Sequence, residues 1–275
     1  MSTDHRPRGA LSPKAVLKQL LPFRSVEAYR LARRVMNGQA AWPPSNIYEQ
    51  LYQTHSLVNS DSDAVGLGSF DTIGLLELAL LHRAGLKPSH RLVDFGCGTG
   101  RLAMHAIPAL PQGHYIGIDV SQDMLRRLDQ RLRALPRSTC RVSLMHQAFD
   151  TFPMADRSVD MVCAFSVFTH MEHEDSFRYL RDARRVVRTG GRLVFSCLAI
   201  DSSLGRSVFL ESSSVNVQAR WGRIRNVSTS REMMQEIAQL AGWSLVEWHR
   251  GDEKTVHLPG HETPLAFGQS VGVLE

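Results

Sequence analysis

The chain has 275 residues, 43% of them hydrophobic and 21% charged, which excludes a mainly disordered, collagenous or heptad-repeat protein and leaves room for a sizeable core. Its 32 Lys+Arg against 27 Asp+Glu give a formal net charge of +5. The excess is local. Residues 1–41 carry Arg6, Arg8, Lys14, Lys18, Arg24, Arg30, Arg33 and Arg34 against Asp4 and Glu27, so a near-neutral body bears a basic arm and offers no general argument for a polyanionic substrate.

Within that arm, residues 13–36 read as two short amphipathic helices broken at Pro22, with Val26, Tyr29, Ala32 and Met36 at helical spacing. Docking on the body or capping a site ranks first for it. Peripheral membrane contact ranks second, and nucleic-acid binding last, because interleaved aromatics and a second basic patch are missing. Lys14 and Lys18 interrupt the apolar core that a signal peptide needs. Ile73–Leu81 carries Glu77 and is too short to span a bilayer. Cys97, Cys140, Cys163 and Cys197 form no C-x-x-C, which fits neither a zinc site nor a disulfide framework. A soluble protein of a reducing cytoplasm is expected.

Downstream, Asp71 is placed to cap a helix with Ile73, Leu76, Leu80 and Ala84 on one face, ended by Gly85. From about residue 89, short apolar runs alternate with helical patterns, the signature of a parallel sheet with crossover helices. The strands are Arg91–Phe95, His114–Val120, Val142–Gln147, Ser158–Ala164 and Arg192–Ile200. Ser121 caps a helix bearing Leu125, Leu128, Leu132 and Leu135. Phe177, Leu180 and Val187 mark another, closed by Gly190-Gly191. Residues 201–228 are Ser-rich, hold Trp221 and show no period, so a loop or lid is expected. Thr229 with Glu232 reads as a capping box opening a helix through Met233, Ile237 and Leu240. Two last strands, about 244–250 and 265–274, have no helix between them and must be antiparallel neighbours.

The chemistry concentrates in Val93-Asp94-Phe95-Gly96-Cys97-Gly98-Thr99-Gly100-Arg101-Leu102, followed by Ile116-Gly117-Ile118-Asp119. Three glycines let the backbone leave the first strand sharply and approach a ligand closely. An acid ending the second strand can accept hydrogen bonds from both ribose hydroxyls of an adenosine. A dinucleotide site would space its glycines G-x-G-x-x-G, but Arg101 stands at the third position. Asp94 also points a carboxylate into the turn, which repels a pyrophosphate and favours an ammonium group. S-adenosylmethionine combines adenosine, ammonium and sulfonium.

These segments, with the later R-V-V-R-T-G-G-R-L-V-F-S, resemble the class I (Rossmann-like) S-adenosylmethionine-dependent methyltransferases over roughly residues 72–275. The resemblance implies an α/β fold: a doubly wound, seven-stranded, mostly parallel sheet with an antiparallel C-terminal hairpin, preceded by an N-terminal helical arm. It also implies that Gly96, Gly98 and Gly100 border the methionine moiety, with Asp94 near its ammonium. Asp119 would hold the ribose, and Val120 and Met124 would pack on the adenine. Many relatives place Gly-Asp after the third strand. This chain has Gln147, Ala148 and Phe149 there, and Gln147 offers its carbonyl oxygen to the adenine amino group while the next N–H serves the ring. Asp150 is a less well-aligned substitute.

After the fourth strand comes Phe165-Ser166-Val167-Phe168-Thr169-His170, expected beside the transferring methyl, with Phe165 at the cofactor. A hydroxyl acceptor needs a base, and His170 is the candidate; ordering of its own loop is the competing role. His170-x-x-His173 lacks a third ligand, so no metal is assigned. His249, His257 and His261 are expected on an exposed hairpin loop. Trp221 with Arg220, Arg223 and Arg225 reads either as a phosphate or sugar reader or as a Trp packed under a lid. Arg181, Arg184, Arg185 and Arg188 read as a solvated helix face, and Cys97 as a small filler.

The expected organisation is a basic arm and cap over 1–71 and a methyltransferase domain over 72–275, with 201–228 as lid or substrate insert. The expected activity is methyl transfer from S-adenosylmethionine, first to oxygen of a small molecule or glycan. A non-catalytic cofactor-binding regulator and an N-methyl or RNA methyltransferase are the alternatives.

Overall fold

The computed structural model describes residues 47–58, 69–134, 136, 138–147, 151–221 and 224–275. The basic arm at 13–36, Ala148, Phe149, Asp150, Leu135 and Arg223 lie outside the described residues. The described elements are α1 (Ile47–Val58), α2 (Phe70–Arg83), β1 (Arg91–Phe95), α3 (Ala103–Ala109), β2 (His114–Asp119), α4 (Gln122–Arg133), β3 (Arg141–His146), β4 (Val159–Ala164), α5 (His173–Val186), β5 (Val187–Ala199), α6 (Ser203–Ser213), α7 (Val217–Trp221), β6 (Ser228–Thr229), α8 (Arg231–Leu240), β7 (Leu245–His249) and β8 (Ser270–Leu274).

The sheet runs β3-β2-β1-β4-β5-β8-β7, with the two-residue β6 added to the end of β5. β1 to β5 are mutually parallel, and β8 is antiparallel to both β5 and β7. Strand order reverses between β1 and β4, where successive crossovers go to opposite faces. A crevice therefore opens at the carboxyl ends of these two strands.

Both faces of the sheet are covered, so its central strands are apolar on both sides rather than alternating. On one face Phe95, Ile118 and Phe195 pack under α5 and α8, with Leu180 and Trp243 fully covered. On the other, Leu92, Tyr115 and Val194 meet Leu80, Ala106 and Leu128 from α2, α3 and α4. Each such side chain contributes about 1.5–3 kcal/mol by leaving water.

Local signals survive with adjusted boundaries. Ser121 caps α4 as expected, its Oγ accepting from Met124 N at 3.4 Å. For α8 the cap is Ser230, accepting from Met233 N at 3.2 Å, and not Thr229, which is drawn into β6. α2 starts at Phe70 after Ser69, with Asp71 inside its first turn rather than capping it. α5 stops at Val186 and β5 begins at once, ahead of Gly190-Gly191, because Val187 pairs with Val159 and the glycines form an irregularity in the ladder. There a Cβ on Gly191 would meet Asp160 O at 2.6 Å. The expected loop over 201–228 instead holds α6 and α7, α6 being capped by Ser202 through Gly205 N at 3.1 Å. β8 is shorter than expected, with Leu265 making only an isolated bridge to Val256.

Candidate active site

The crevice is lined by Phe70 and Glu77 of α2, Asp94 of β1, the glycine turn with Arg101, and Phe165 and Ser166 after β4. Gly96, Gly98 and Gly100 have φ of 75°, 54° and 92°, the left-handed region that favours glycine. Their reasons differ. A Cβ on Gly100 would meet Leu128 Cδ1 at 2.2 Å and one on Gly96 would meet Val167 Cγ2 at 2.5 Å, whereas Gly98 faces open space. Packing demands the outer two; the middle one exposes bare backbone to whatever enters.

Two acids define the floor and the side. Asp119, buried at the end of β2, accepts from Gly98 N and Ser121 N, each at 2.8 Å. The glycine turn is thereby tied to the end of the neighbouring strand, and the Val120 N–H also reaches this carboxylate. Burial raises the Asp119 pKa, and these backbone donors oppose the rise. Asp94 accepts from Tyr115 Oη at 2.5 Å and from Cys163 Sγ at 3.6 Å. Burial lifts it to about 6 against those hydrogen bonds.

The loop after β4 is anchored from the far end of the chain. Ser166 has φ of 57°; its N–H donates to Ser196 Oγ at 2.7 Å, and Ser196 Oγ donates to Gln269 Oε1 at 2.6 Å. Gln269 Nε2 returns to Ser166 Oγ at 3.0 Å. Phe165 packs edge-on to Phe267 with ring centroids 5.6 Å apart. A left-handed serine held by a closed polar network is the kind of local strain that a functional loop retains.

Further along, the segment returning from α7 runs beside this loop. Val227 N donates to Thr169 O at 2.7 Å, and His173 Nε2 lies 3.2 Å from Thr229 Oγ1. His170 Nδ1 is 2.8 Å from Arg225 O. Arg225 also pairs with Glu172 and lies 3.9 Å over the Trp221 ring. α1 closes the same side: Tyr48 Oη donates to Asp175 Oδ2 at 2.6 Å and accepts from Glu172 N at 3.2 Å. The Tyr52 ring meets that of His170 edge-on at 6.1 Å, and Glu49 lies 3.4 Å from His146.

Residues 92–191 match a family model described as a methyltransferase domain, opening in β1 and closing in β5 so as to take in all three glycines, Asp119 and His170. This segment is similar to methyltransferase domains. Its relatives include a malonyl-[acyl-carrier protein] O-methyltransferase of Methylococcus capsulatus, 32% identical over 124 residues, covering 45% of this chain and 42% of the relative. A ubiquinone/menaquinone biosynthesis C-methyltransferase of Syntrophotalea carbinolica is 29% identical over 118 residues, 42% of this chain and 47% of the relative. The chain thus spans less than half the length of these two relatives. Among solved structures, magnesium protoporphyrin IX methyltransferase from Synechocystis, with bound SAH, superposes with a TM-score of 0.53 at 17% identity. That alignment covers 76% of this chain and 89% of the other, and it shows the shared fold.

Several expected residues converge: Asp94, Gly96, Gly98 and Phe165 line the crevice, and Asp119 joins them through Gly98 N. Met124 is buried and Val120 half-buried beside Asp119. Gln147 donates Nε2 to Thr151 O at 2.7 Å, which turns its amide by a hydrogen bond to the chain's own backbone. Other expectations need correcting. His249 is not on an exposed loop but buried in β7, 3.2 Å from Glu247. Trp221 is 57% exposed rather than packed under a lid. Arg185 is no solvated face residue: it binds Asp182, Asp156 and the carbonyls of Met154 and Phe152. Arg188 leaves the helix and pairs with Asp160. Among the described residues no cluster of three metal-ligating side chains exists, and no helix is long and apolar enough to cross a membrane.

Sequence reasoning missed Tyr48, Tyr52, Gln269 and Glu77. Only Glu77 left a signal, a carboxylate inside the stripe of Ile73, Leu76 and Leu80.

Proposed function

We propose that the chain transfers the methyl group of S-adenosylmethionine to an oxygen of a small-molecule or glycan acceptor, with His170 as general base. One observation carries the oxygen reading. A carbonyl oxygen only accepts, so the contact from His170 to Arg225 O requires the hydrogen on Nδ1 and leaves the basic lone pair on Nε2. A histidine held in one tautomer by a backbone acceptor is suited to removing a hydroxyl proton during attack.

The residues present fit the cofactor. The crevice is lined by the acids Asp94 and Glu77, which suit a cationic ligand, Gly98 is open to close approach, and Asp119 is bonded to the Gly98 N–H of the same turn. When bound, S-adenosylmethionine supplies an electrophilic methyl on sulfonium. In this reading Asp94 faces the ammonium, Asp119 the ribose, and Val120, Met124, Gln147 and Phe165 surround the adenosine and the thioether; Ala148 and Phe149 are assigned to the same site from the sequence alone. Arg101 brings positive charge to the end that receives the carboxylate. Displacement at carbon demands alignment and exclusion of water more than strong acid–base chemistry. In this reading α1 closes the site through Tyr48 and Tyr52. Residues 72–275 form the catalytic domain, 1–71 the arm and cap, and 201–228 the acceptor lid.

The O-methyltransferase activity of the Methylococcus relative supports oxygen; the C-methyltransferase relative shows that the fold alone does not select it. Calorimetry with S-adenosylmethionine and S-adenosylhomocysteine tests the cofactor, and labelled methyl transfer to panels of hydroxyl, carboxylate and amine acceptors tests the atom. Transfer to amines alone overturns the oxygen reading, and binding without transfer to any acceptor overturns the enzymatic one.

A further inference from the structure

Glu77 is a carboxylate in the middle of an apolar helix stripe, 4% exposed, and lines the crevice beside Asp94. An ionised carboxylate in such a place is costly unless a cation reaches it, and a Glu serving only to pack α2 would be better replaced by Leu or Met. Its surroundings are unbalanced. Asp94 of β1 repels it, the Cys163 thiol of β4 feels its charge, and Arg101 attracts it from the turn into α3. On α3, His105 is turned to Asp71 at 3.8 Å. Tyr115 of β2 already gives its hydroxyl to Asp94. Two buried acids therefore share one crevice with Arg101 as the nearby cation.

We propose that Glu77 is a cofactor-binding residue whose carboxylate, together with Asp94, receives the α-ammonium of the methionine moiety. Glu77 lies upstream of the matched segment, which starts at residue 92, so the glycine motif does not carry this assignment. The inference rests on the cofactor reading above and deepens it: the methionine end is recognised from α2 as well as from β1. Without a bound cation, burial holds Glu77 up at about 8 and Asp94 at about 6. Arrival of an ammonium favours the ionised form of both, so binding releases protons near neutral pH and tightens as pH rises from 6 to 8.

The test is calorimetry on the full chain with two ligands, S-adenosylhomocysteine and 5′-methylthioadenosine, which shares the adenosine and thioether but has no amino-acid part. Glu77→Gln, nearly isosteric, is expected to weaken S-adenosylhomocysteine about tenfold or more, the loss of one charge-assisted contact. Methylthioadenosine affinity should stay within about twofold, which also reports that the variant is folded. In wild-type protein, needing no variant, S-adenosylhomocysteine should bind more tightly at pH 8 than at pH 6 and release protons in buffers of different ionisation enthalpy, whereas methylthioadenosine should do neither. Equal weakening of both ligands by Glu77→Gln, no weakening of either, or identical pH dependence of the two overturns the role of Glu77 and leaves the cofactor reading standing. Wild-type protein that binds neither ligand overturns the cofactor reading and this one with it.

Discussion

His170 gives its Nδ1 hydrogen to the carbonyl oxygen of Arg225, 2.8 Å away and 55 residues later in the chain. That contact aligns the imidazole and fixes its tautomer, and it joins the loop after β4 to the return strand of the insert. His170→Ala should lower kcat toward a hydroxyl acceptor by about 10²–10⁴-fold. The affinity for S-adenosylhomocysteine should stay near wild type, since the proposed role sets His170 against the acceptor and not the cofactor. Turnover near the wild-type rate would retire the base role and leave His170 as a tie between two loops.

The glycine turn separates folding from binding. Gly100→Ala places a Cβ 2.2 Å from Leu128 Cδ1 at a φ of 92°, so its thermal midpoint should fall by several degrees, about 2–4 °C for each kcal/mol lost. Gly98→Val faces open space inside the protein. It should cost about 1–2 kcal/mol of backbone strain yet abolish measurable cofactor binding, because its side chain occupies the approach. Cofactor titrations beside melting curves distinguish the two. If Gly98→Val binds as wild type, the turn does not border the cofactor.

Gln269 is expected to act through Ser166 without touching the cofactor. Its Oε1 takes the Ser196 hydroxyl hydrogen at 2.6 Å and its Nε2 reaches Ser166 Oγ at 3.0 Å. Gln269→Leu removes both contacts and leaves the buried Ser196 hydroxyl without its acceptor, a cost of about 1–3 kcal/mol. The loop bearing Phe165 and His170 should loosen, so kcat should drop while the dissociation constant of S-adenosylhomocysteine changes little. Restoration of kcat by Gln269→Glu or Gln269→Asn would support positioning, and an unchanged kcat in Gln269→Leu would remove it.

Stability of the cofactor-free domain should decline as pH rises. Glu77 and Asp94 have folded pKa values of about 8 and about 6, raised by burial above their ordinary ones. The native state therefore holds protons that the unfolded chain has lost, and ∂ΔG/∂pH is negative across this window. The contribution is fully present below about pH 4 and is lost as pH passes through about 6 and then about 8. Melting curves from pH 5 to 8 should show a falling midpoint, flattened by Glu77→Gln. A flat profile in the wild type would mean that neither acid is protonated in the free crevice.

Much of the cofactor half was legible before any coordinates. The glycine spacing, the acid ending the second strand and the alternation of strand and helix are short-range patterns set by backbone sterics and side-chain period, which is why Ser121 and Gly100 fall where expected. Boundaries slipped where tertiary pairing outbid a local rule: Val187 joined Val159 in the sheet instead of extending α5, and Thr229 went to β6, passing the cap to Ser230. The insert concealed α6 because its Ser-rich face is exposed and shows no apolar period.

By itself the sequence determined the alternation of strand and helix, the glycine turn and the acid that ends the second strand, since each depends on residues within a few positions of one another. Only the tertiary structure decided which distant segments meet around the crevice and the loop after β4. Arg225 on His170, Gln269 on Ser196 and Ser166, Tyr48 on Asp175, and Glu77 beside Asp94 all join residues distant in sequence. Such contacts leave no period to read; they exist because burying the sheet's two faces brings the segments together, and each polar group so buried must then find its partner.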